Sequence, residues 1–219
     1  MPQDGFLHRY FLTNGGKRLH KWVHYFDIYE RHFERFRGRD PVVLEIGVFG
    51  GGSLEMWKAY FGGNSQIIGL DIDPACAKHA GNGIDVVSGD QSDATVLSQL
   101  LDRYGPPDII IDDGSHRQSD MRASFRVLYP AMSATGVYLV EDTHTCYWDD
   151  YEGALRGPDT FIELAKNLVD EINAVHTRGA LAPTSFTRTT DSIIFYDSVV
   201  VFERRPQGAR QAPITEGMD

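Results

Sequence analysis

The chain has little cysteine and no long apolar run, and each shortage excludes a class of protein. Only Cys76 and Cys146 occur among 219 residues, too few for a disulfide-stabilised secreted scaffold. No stretch approaches the roughly 20 apolar residues of a membrane-spanning helix, and the N-terminal residues do not resemble a signal sequence. We therefore expect a cytoplasmic protein that has no membrane partner.

Basic residues are also in short supply. There are 21 Lys and Arg against 31 Asp and Glu, which gives a net charge of −10. Because nucleic-acid phosphates repel such a chain, we expect no nucleic-acid partner. The hydrophobic content of 42% suits one globular domain. We divide the chain into a flexible lead-in (1–19), a folded domain (20–205) and a polar tail (206–219).

The segment VVLEIGVFGGGS, which starts at Val42, predicts a buried strand, a glycine loop and the start of a helix. Glycine lets a ligand approach the backbone near free helix N–H groups. The spacing differs from the G-x-G-x-x-G of dinucleotide sites, and Glu45 would repel phosphates but attract a sulfonium or ammonium. The pattern resembles motif I of S-adenosylmethionine-dependent methyltransferases, with Gly47, Gly51 and Ser53 beside the cofactor. A glycine turn without a ligand is the alternative.

Residues 19–37 predict one amphipathic helix, because aromatic residues recur there at steps of three and four. These aromatics are Trp22, Tyr25, Phe26, Tyr29, Phe33 and Phe36. His20, His24 and His32 lie in the same stretch and could bind a metal. A core-flanking or solvated role is favoured, since no acid or cysteine cluster accompanies them.

Strands and helices alternate along the rest of the chain. The predicted strands are 66–70, 84–87, 108–111 and 137–140, and the predicted helices are 53–61, 94–104, 120–129 and 159–176. Such alternation predicts an α/β fold with a doubly wound parallel sheet and helices on both faces. Residues 191–203 predict a closing antiparallel hairpin. The whole indicates a Rossmann-like, seven-stranded sheet of the methyltransferase type.

Two strand ends carry candidates for cofactor binding. The strand after the glycine loop ends on Asp71, where related folds bind a ribose diol, and Asp73 is the second choice. A turn capped by aspartate and proline is the alternative interpretation. Beyond the next strand, Asp90 and Gln91 lie by position near the adenine, although Asp93 could be only a helix cap.

The motifs DDGSH (residues 112–116) and EDTH (residues 141–144) follow two further strands. Four carboxylates at one sheet edge repel one another unless a cation neutralises them. Oxygen ligands without cysteine favour Mg²⁺ over zinc. His116 would take a proton from a hydroxyl, and His144 could share or replace that role. The alternative is that these acids are caps and solvated turn residues.

Taken together, these motifs and the closing hairpin resemble the metal-dependent sugar O-methyltransferases of the mycinamicin and related antibiotic pathways, over roughly residues 20–205. The resemblance implies a class I methyltransferase that uses S-adenosylmethionine and Mg²⁺. It implies that Asp113, Glu141 and Asp142 hold Mg²⁺, that His116 is the general base and that Asp112 faces the cofactor. Vicinal sugar hydroxyls would complete the metal coordination.

The acceptor is left open by the resemblance. The mycinamicin enzymes carry an extra N-terminal domain, whereas we expect this chain to comprise only the catalytic portion. The compact size of the chain also fits similar enzymes that methylate polysaccharide sugars, such as mycobacterial methylmannoside 1-O-methyltransferases. We expect a carbohydrate or glycosylated small-molecule acceptor and a homo-oligomer. Tyr147, Trp148 and Tyr151 could stack on a sugar ring or form a subunit contact.

Two other functions are weighed against this one. A catechol-type methyltransferase also uses Mg²⁺ and a diol, but usually has a lysine base, and no lysine closely follows Asp113 or Asp142. A cofactor-binding scaffold without catalysis would need neither acidic motif. Both are therefore ranked below the sugar O-methyltransferase.

Overall fold

The computed structural model describes residues 5–215, in which helices and strands alternate as predicted. The helices are α1 (Phe6–Leu12), α2 (Tyr25–Phe33), α3 (Gly52–Phe61), α4 (Ala94–Tyr104), α5 (Gln118–Ala131), α6 (Phe161–Ile172) and α7 (Ser185–Thr189). The strands are β1 (Val42–Ile46), β2 (Gln66–Asp71), β3 (Ile84–Ser88), β4 (Ile109–Asp112), β5 (Val137–Val140), β6 (Thr190–Tyr196) and β7 (Val199–Arg204). Short 3-10 helices cover Glu34–Phe36, Pro74–His79, Thr143–Tyr147, Asp149–Tyr151 and Ala174–His176.

The seven strands form one sheet in the order β3-β2-β1-β4-β5-β7-β6. The first five are parallel, and β7 runs antiparallel to both β5 and β6. The register aligns Ile46, Asp112 and Val140 across β1, β4 and β5. Because these strands end level with one another, the loops that follow them leave the sheet side by side. The predicted doubly wound sheet with an antiparallel hairpin is confirmed.

Side chains of the strands alternate between two cores, one on each face of the sheet. Val43 and Ile111 pack with residues of α1, α2 and α3, including the buried Trp57. Leu44 and Ile110 pack with residues of α4, α5 and α6. Helices therefore cover both faces, as predicted.

The structure differs from the predictions around the N-terminal region. Residues 5–19 of the predicted lead-in include α1, whose Leu7 is buried and donates a backbone hydrogen bond to Glu30 Oε1 at 2.7 Å. The apolar residues of α1 recur at helical spacing and pack on α2 and α3. The lead-in is therefore part of the fold in its described portion, whereas residues 1–4 lie outside the described residues.

The helix predicted over residues 19–37 is shorter, because α2 begins only at Tyr25. The preceding residues 17–22, which we call the N-terminal strap, lie against the glycine loop without regular structure, and Gly52 N–H donates to Arg18 O at 3.1 Å. Helix α6 is likewise shorter than predicted and is capped by the Thr160 side chain. Residues 206–215 form no helix or strand, and residues 216–219 lie outside the described residues. No helix within residues 5–215 has the length and apolarity to cross a membrane.

Candidate active site

The glycine loop between β1 and α3 borders a cavity of about 640 Å³. Gly47 has a φ of +93° and Gly51 a φ of +74°, values that glycine adopts without strain. A Cβ atom on Gly47 would lie 2.1 Å from the backbone oxygen of Asp113, so the loops after β1 and β4 touch here. Gly47 and Ser53 line the cavity, which is large enough for a nucleoside-type ligand.

Asp71, at the end of β2, is hydrogen-bonded to this loop. Its Oδ2 accepts hydrogen bonds from the N–H groups of Val48 at 2.8 Å and Phe49 at 3.2 Å. Burial by itself would raise the pKa of Asp71, but hydrogen bonds from backbone N–H groups lower it below its usual value. Asp73 caps a short helix by accepting from Ala75 N–H. Both aspartates line the cavity, and Asp71 is the one fixed against the glycine loop.

A second cavity of about 170 Å³ continues from the first toward the end of β3. It is lined by Asp90 and Gln91, and it shares Gly47 and Asp71 with the larger cavity. The two together form a cleft that crosses the carboxyl ends of β1, β2 and β3, the edge where ligands bind in such sheets. Asp93 caps α4 through its side chain, which is the alternative that the sequence left open.

Asp112 lies behind this cleft and not in it. Its carboxylate is 1% exposed and accepts hydrogen bonds from Gln91 Nε2 at 3.0 Å, Ser124 Oγ at 2.7 Å and Tyr138 OH at 3.1 Å. Burial raises the pKa of Asp112. Gln91 in turn accepts from Ser115 N–H at 2.7 Å. The interpretation that Asp112 faces the cofactor is therefore corrected: this carboxylate positions Gln91, which does line the cleft.

Glu45 is fully buried beneath the glycine loop. Its Oε2 accepts a hydrogen bond from Ser53 Oγ at 2.7 Å, and its Oε1 accepts one from Lys21 Nζ at 3.1 Å. The sequence predicted a cationic ligand group beside Glu45. The cation that the structure brings there is a side chain of the same protein.

Lys21 is the centre of a buried group of charges. Its ammonium donates to Glu45, to Asp113 Oδ2 at 2.7 Å and to Glu141 Oε1 at 2.9 Å, and its side chain is 2% exposed. Burial by itself would lower the pKa of Lys21, but the three carboxylates raise it well above its usual value. The side chain of Lys21 therefore keeps its positive charge at neutral pH.

A separate group of possible metal ligands opens onto the cavity. Asp113, His116 and Asp142 each offer one ligand atom, and these atoms lie within 4.8 Å of one another. His116 Nε2 is 3.8 Å from Asp113 Oδ1 and 3.7 Å from Asp142 Oδ2. Glu141 lines the same cavity, and its Oε1 accepts hydrogen bonds from Lys21 Nζ at 2.9 Å and from Tyr29 OH at 2.7 Å. The structure thus brings two of the three predicted metal ligands together with the predicted base.

These atoms fit a divalent cation. Asp113 and Asp142 each offer a carboxylate oxygen, and the candidate ligand atoms lie within 4.8 Å of one another. His116 Nε2 lies 3.8 Å and 3.7 Å from these carboxylates, beyond hydrogen-bond length, so it can accept a proton beside an ion that the two carboxylates hold. Carboxylate oxygens are the donors that Mg²⁺ prefers. Within residues 5–215, His116 Nδ1 is also a buried polar atom without a hydrogen-bond partner.

The backbone is strained at two of these three residues. His116 has a φ of 58° and Asp142 a φ of 52°, in the left-handed region that costs a non-glycine residue about 1–3 kcal/mol. Thr145 Oγ1 lies within hydrogen-bonding distance of both backbone carbonyls, 3.1 Å from His116 O and 2.8 Å from Asp142 O. One threonine therefore holds the two strained turns together.

His144 lies at the mouth of the cavity, apart from the carboxylate group. Its Nδ1 is 3.1 Å from Ser198 Oγ, and its ring packs edge-on against Trp22 and Trp148. Of the two candidate bases, His116 is the one beside the carboxylates.

Three residues of the site were not predicted as such: Lys21, Tyr25 and Tyr29. The tyrosines were assigned to the apolar face of a helix, and both are buried there. Their hydroxyls nevertheless donate to Asp142 and Glu141. The signal available in the sequence was tyrosine in place of phenylalanine on a buried face, since a buried hydroxyl usually has a partner. The spacing of the residues around Lys21 gave no sign that this lysine belongs to the site.

Comparison with known proteins gives close relatives, although no family model matches the chain. The chain is 39% identical over 197 residues to 8-demethyl-8-alpha-L-rhamnosyl tetracenomycin-C 2'-O-methyltransferase of Streptomyces olivaceus, which covers 84% of this chain and 52% of the relative. It is 40% identical over 176 residues to mycinamicin VI 2''-O-methyltransferase of Micromonospora griseorubida, covering 75% of this chain and 42% of the relative.

A solved structure agrees with these relatives. The methyltransferase from the mycinamycin biosynthetic pathway, in complex with Mg, SAH and mycinamycin VI, superposes with a TM-score of 0.79 at 36% identity. The match covers 91% of this chain and 53% of that chain. The chain thus spans about half the length of the curated relatives that it matches.

The strand order, the glycine loop and the antiparallel closing pair define the class I methyltransferase fold. Within that class, the chain is a homologue of the sugar O-methyltransferases of the mycinamicin, macrocin and tetracenomycin type. The resemblance inferred from the sequence motifs is confirmed.

Proposed function

We propose that the chain is an S-adenosylmethionine- and Mg²⁺-dependent O-methyltransferase that methylates a sugar hydroxyl of a glycosylated small molecule. The observation that carries the proposal is the convergence of Asp113, His116 and Asp142 on the cavity beside the glycine loop. The relatives named above, which act on glycosylated tetracenomycin and mycinamicin, support the same acceptor class.

The cofactor would occupy the cleft formed by the two connected cavities. Asp71, charged at neutral pH, would accept hydrogen bonds from the ribose diol. Asp90 and Gln91 would lie beside the adenine in the smaller cavity. The methionine part would then extend past Gly47 and Ser53, which directs the sulfonium methyl group toward His116.

Asp113 and Asp142 would hold the divalent cation next to the acceptor. When bound, the cation lowers the pKa of a neighbouring hydroxyl. His116 takes the hydroxyl proton at Nε2, the nitrogen that faces both carboxylates. The acceptor oxygen attacks the sulfonium methyl carbon, the C–O bond forms as the S–C bond breaks, and the electron pair returns to sulfur. The products are the methyl ether, S-adenosylhomocysteine and a protonated His116.

Aromatic side chains border the acceptor end of the cavity. Trp22 and Trp148 are about half exposed, at 52% and 50%, and both line the cavity together with Tyr151. Flat aromatic faces suit the C–H faces of a sugar ring. An aromatic mouth above a carboxylate group therefore supports a glycoside acceptor with vicinal hydroxyls.

The structure gives its own argument against a catechol-type mechanism with a lysine base. The sequence argument was only that no lysine closely follows the acidic motifs. Lys21 does lie at the carboxylates, although it is distant in sequence from the acidic motifs. Its ammonium is bound by three carboxylates and is 2% exposed, so it has no lone pair to offer a substrate. His116 is the group that can take a proton.

Methyl transfer to a panel of glycosides, catechols and oligosaccharides, measured with Mg²⁺ and again after EDTA, tests the proposal. We expect transfer to small-molecule glycosides that EDTA abolishes and Mg²⁺ restores. Metal-dependent transfer to catechols alone would assign the chain to the catechol type, and transfer only to oligosaccharides would replace the acceptor class. Cofactor binding without transfer to any acceptor would refute the proposed reaction. The homo-oligomer and the cytoplasmic location stay predictions.

A further inference from the structure

The carboxylate centre already contains a cation that belongs to the chain. Lys21 comes from the N-terminal strap, far in sequence from the acids that it contacts, and its ammonium lies within 3.1 Å of Glu45, Asp113 and Glu141. Removing an ammonium from water costs several kcal/mol unless close carboxylates compensate. The contacts therefore hold the strap and three carboxylates together as one unit.

Asp113 is shared between this unit and the proposed metal ligands. Its Oδ2 accepts the 2.7 Å hydrogen bond from Lys21, while its Oδ1 faces His116 Nε2 at 3.8 Å. A divalent cation bound by Asp113 and Asp142 would lie close to the lysine ammonium, and like charges at such separations repel strongly in a buried site. Both cations also require the negative charge of the same carboxylate.

We propose that Lys21 is an internal counter-cation that binds Asp113 when no divalent ion is present and withdraws from it when one binds, so that Lys21 limits the metal affinity of the site. The proposal rests on the proposed function, since it takes Asp113 and Asp142 as metal ligands. Its consequence is that the apoprotein keeps an assembled carboxylate centre at the cost of weaker metal binding.

Lys21→Met tests the proposal, because methionine has a similar length but no charge. Lys17→Met is the matched control: Lys17 lies on the same strap, but pairs with Glu55 at 3.1 Å and with the backbone oxygen of His79, away from the centre. Mn²⁺ binding is measured by isothermal titration, and melting temperature is measured with and without Mn²⁺.

For Lys21→Met we expect a Kd for Mn²⁺ roughly tenfold lower than that of the wild type, because a competing positive charge is gone. We also expect a lower melting temperature without metal and a larger rise on adding it. Lys17→Met should match the wild type in Kd. An unchanged or higher Kd in Lys21→Met would overturn the proposal. If Mn²⁺ bound neither to the wild type nor to Lys21→Met, the metal site of the proposed function would be refuted, and this inference with it.

A second measurement uses the wild-type protein, in case Lys21→Met does not fold. A crystal structure with Mn²⁺ bound should give a separation between Lys21 Nζ and Asp113 Oδ2 greater than the 4 Å limit of an ion pair, instead of 2.7 Å. A bound metal together with an unchanged Lys21–Asp113 contact would contradict the exchange, while leaving the proposed reaction intact.

Discussion

The Tyr25 hydroxyl donates a 2.6 Å hydrogen bond to Asp142 Oδ1 and so connects α2 to the end of β5. The other oxygen of the same carboxylate faces His116 Nε2 at 3.7 Å. Burial, followed by the bond to Asp142, raises the pKa of Tyr25 far above its usual value, so the hydroxyl is a donor throughout the neutral range. A helix outside both acidic motifs therefore orients a predicted metal ligand.

Tyr25→Phe removes this hydrogen bond to a charged acceptor, an interaction of about 1.5–3 kcal/mol. We expect kcat for metal-dependent methyl transfer to fall by roughly tenfold or more and the metal Kd to rise, because Asp142 loses its orientation. The cofactor Kd should not change. Isothermal titration and steady-state assays measure all three quantities, and a parallel rise in the cofactor Kd would show general distortion of the site instead.

His116→Ala should reduce kcat by about 10²–10⁴, the usual contribution of a general base. His144→Ala should have a much smaller effect, since His144 lies at the mouth and contacts Ser198. Rates of methyl transfer to one glycoside under saturating metal compare the two variants directly. A large loss for His144→Ala with a small one for His116→Ala would move the base to His144.

Asp142→Asn should abolish turnover by weakening Mg²⁺ binding while leaving cofactor affinity nearly intact. The neutral amide keeps the shape of the side chain but removes one of the two carboxylates that face the proposed metal. Titration of metal and of S-adenosylmethionine separates the two effects. Equal losses in both affinities would indicate misfolding and would count against a metal-ligand role.

Asp71→Asn should raise the Kd for S-adenosylmethionine at least tenfold, because the carboxylate orders the glycine loop and, in the proposed complex, would accept hydrogen bonds from the ribose. Asp73→Asn is its matched control. Asparagine can still cap the short helix after β2, so the cofactor Kd should change little. Isothermal titration measures both, and a larger effect at Asp73 would reverse the assignment.

Glu203 gives a prediction about stability and pH that is independent of the site. It accepts hydrogen bonds from His32 of α2 at 2.6 Å and from Arg35 of the following 3-10 helix at 2.5 Å, and these bonds join that segment to β7. Burial alone would raise the pKa of Glu203, but these bonds lower it below the usual value. Because the folded pKa lies below the unfolded value of about 4.3, the stabilisation is present above that pH and is lost as the pH falls through the folded pKa.

We therefore expect Glu203→Gln to lower the free energy of unfolding by about 1–2 kcal/mol near pH 7. The difference from the wild type should shrink as the pH falls below about 4, where the wild-type carboxyl is itself protonated. Urea unfolding at several pH values measures this. A difference that stays constant between pH 7 and pH 3 would contradict the linkage.

The sequence predicted the sheet because its signals are local. Apolar strands, glycine loops and helical spacings each depend on a few neighbouring residues, and short connections leave few topologies open. The same reasoning predicted that Asp113 and Asp142 lie at one edge of the sheet, since neighbouring parallel strands end at the same edge. The prediction of a single helix over residues 19–37 was wrong. The periodicity of the aromatic residues does not show that the strap lacks helical structure and places Lys21 at the carboxylates.

The sequence by itself determined the class of fold, and it predicted the sheet edge for ligand binding and the type of chemistry that we propose. Only the tertiary structure decided which way each acid points. Asp112 and Asp113 are adjacent in sequence, yet one is buried against Ser124 of α5 and the other contacts Lys21. Successive side chains at a strand end face opposite sides of a sheet, and the partners that they meet there come from distant parts of the chain. The spacing of residues within a motif does not specify those partners.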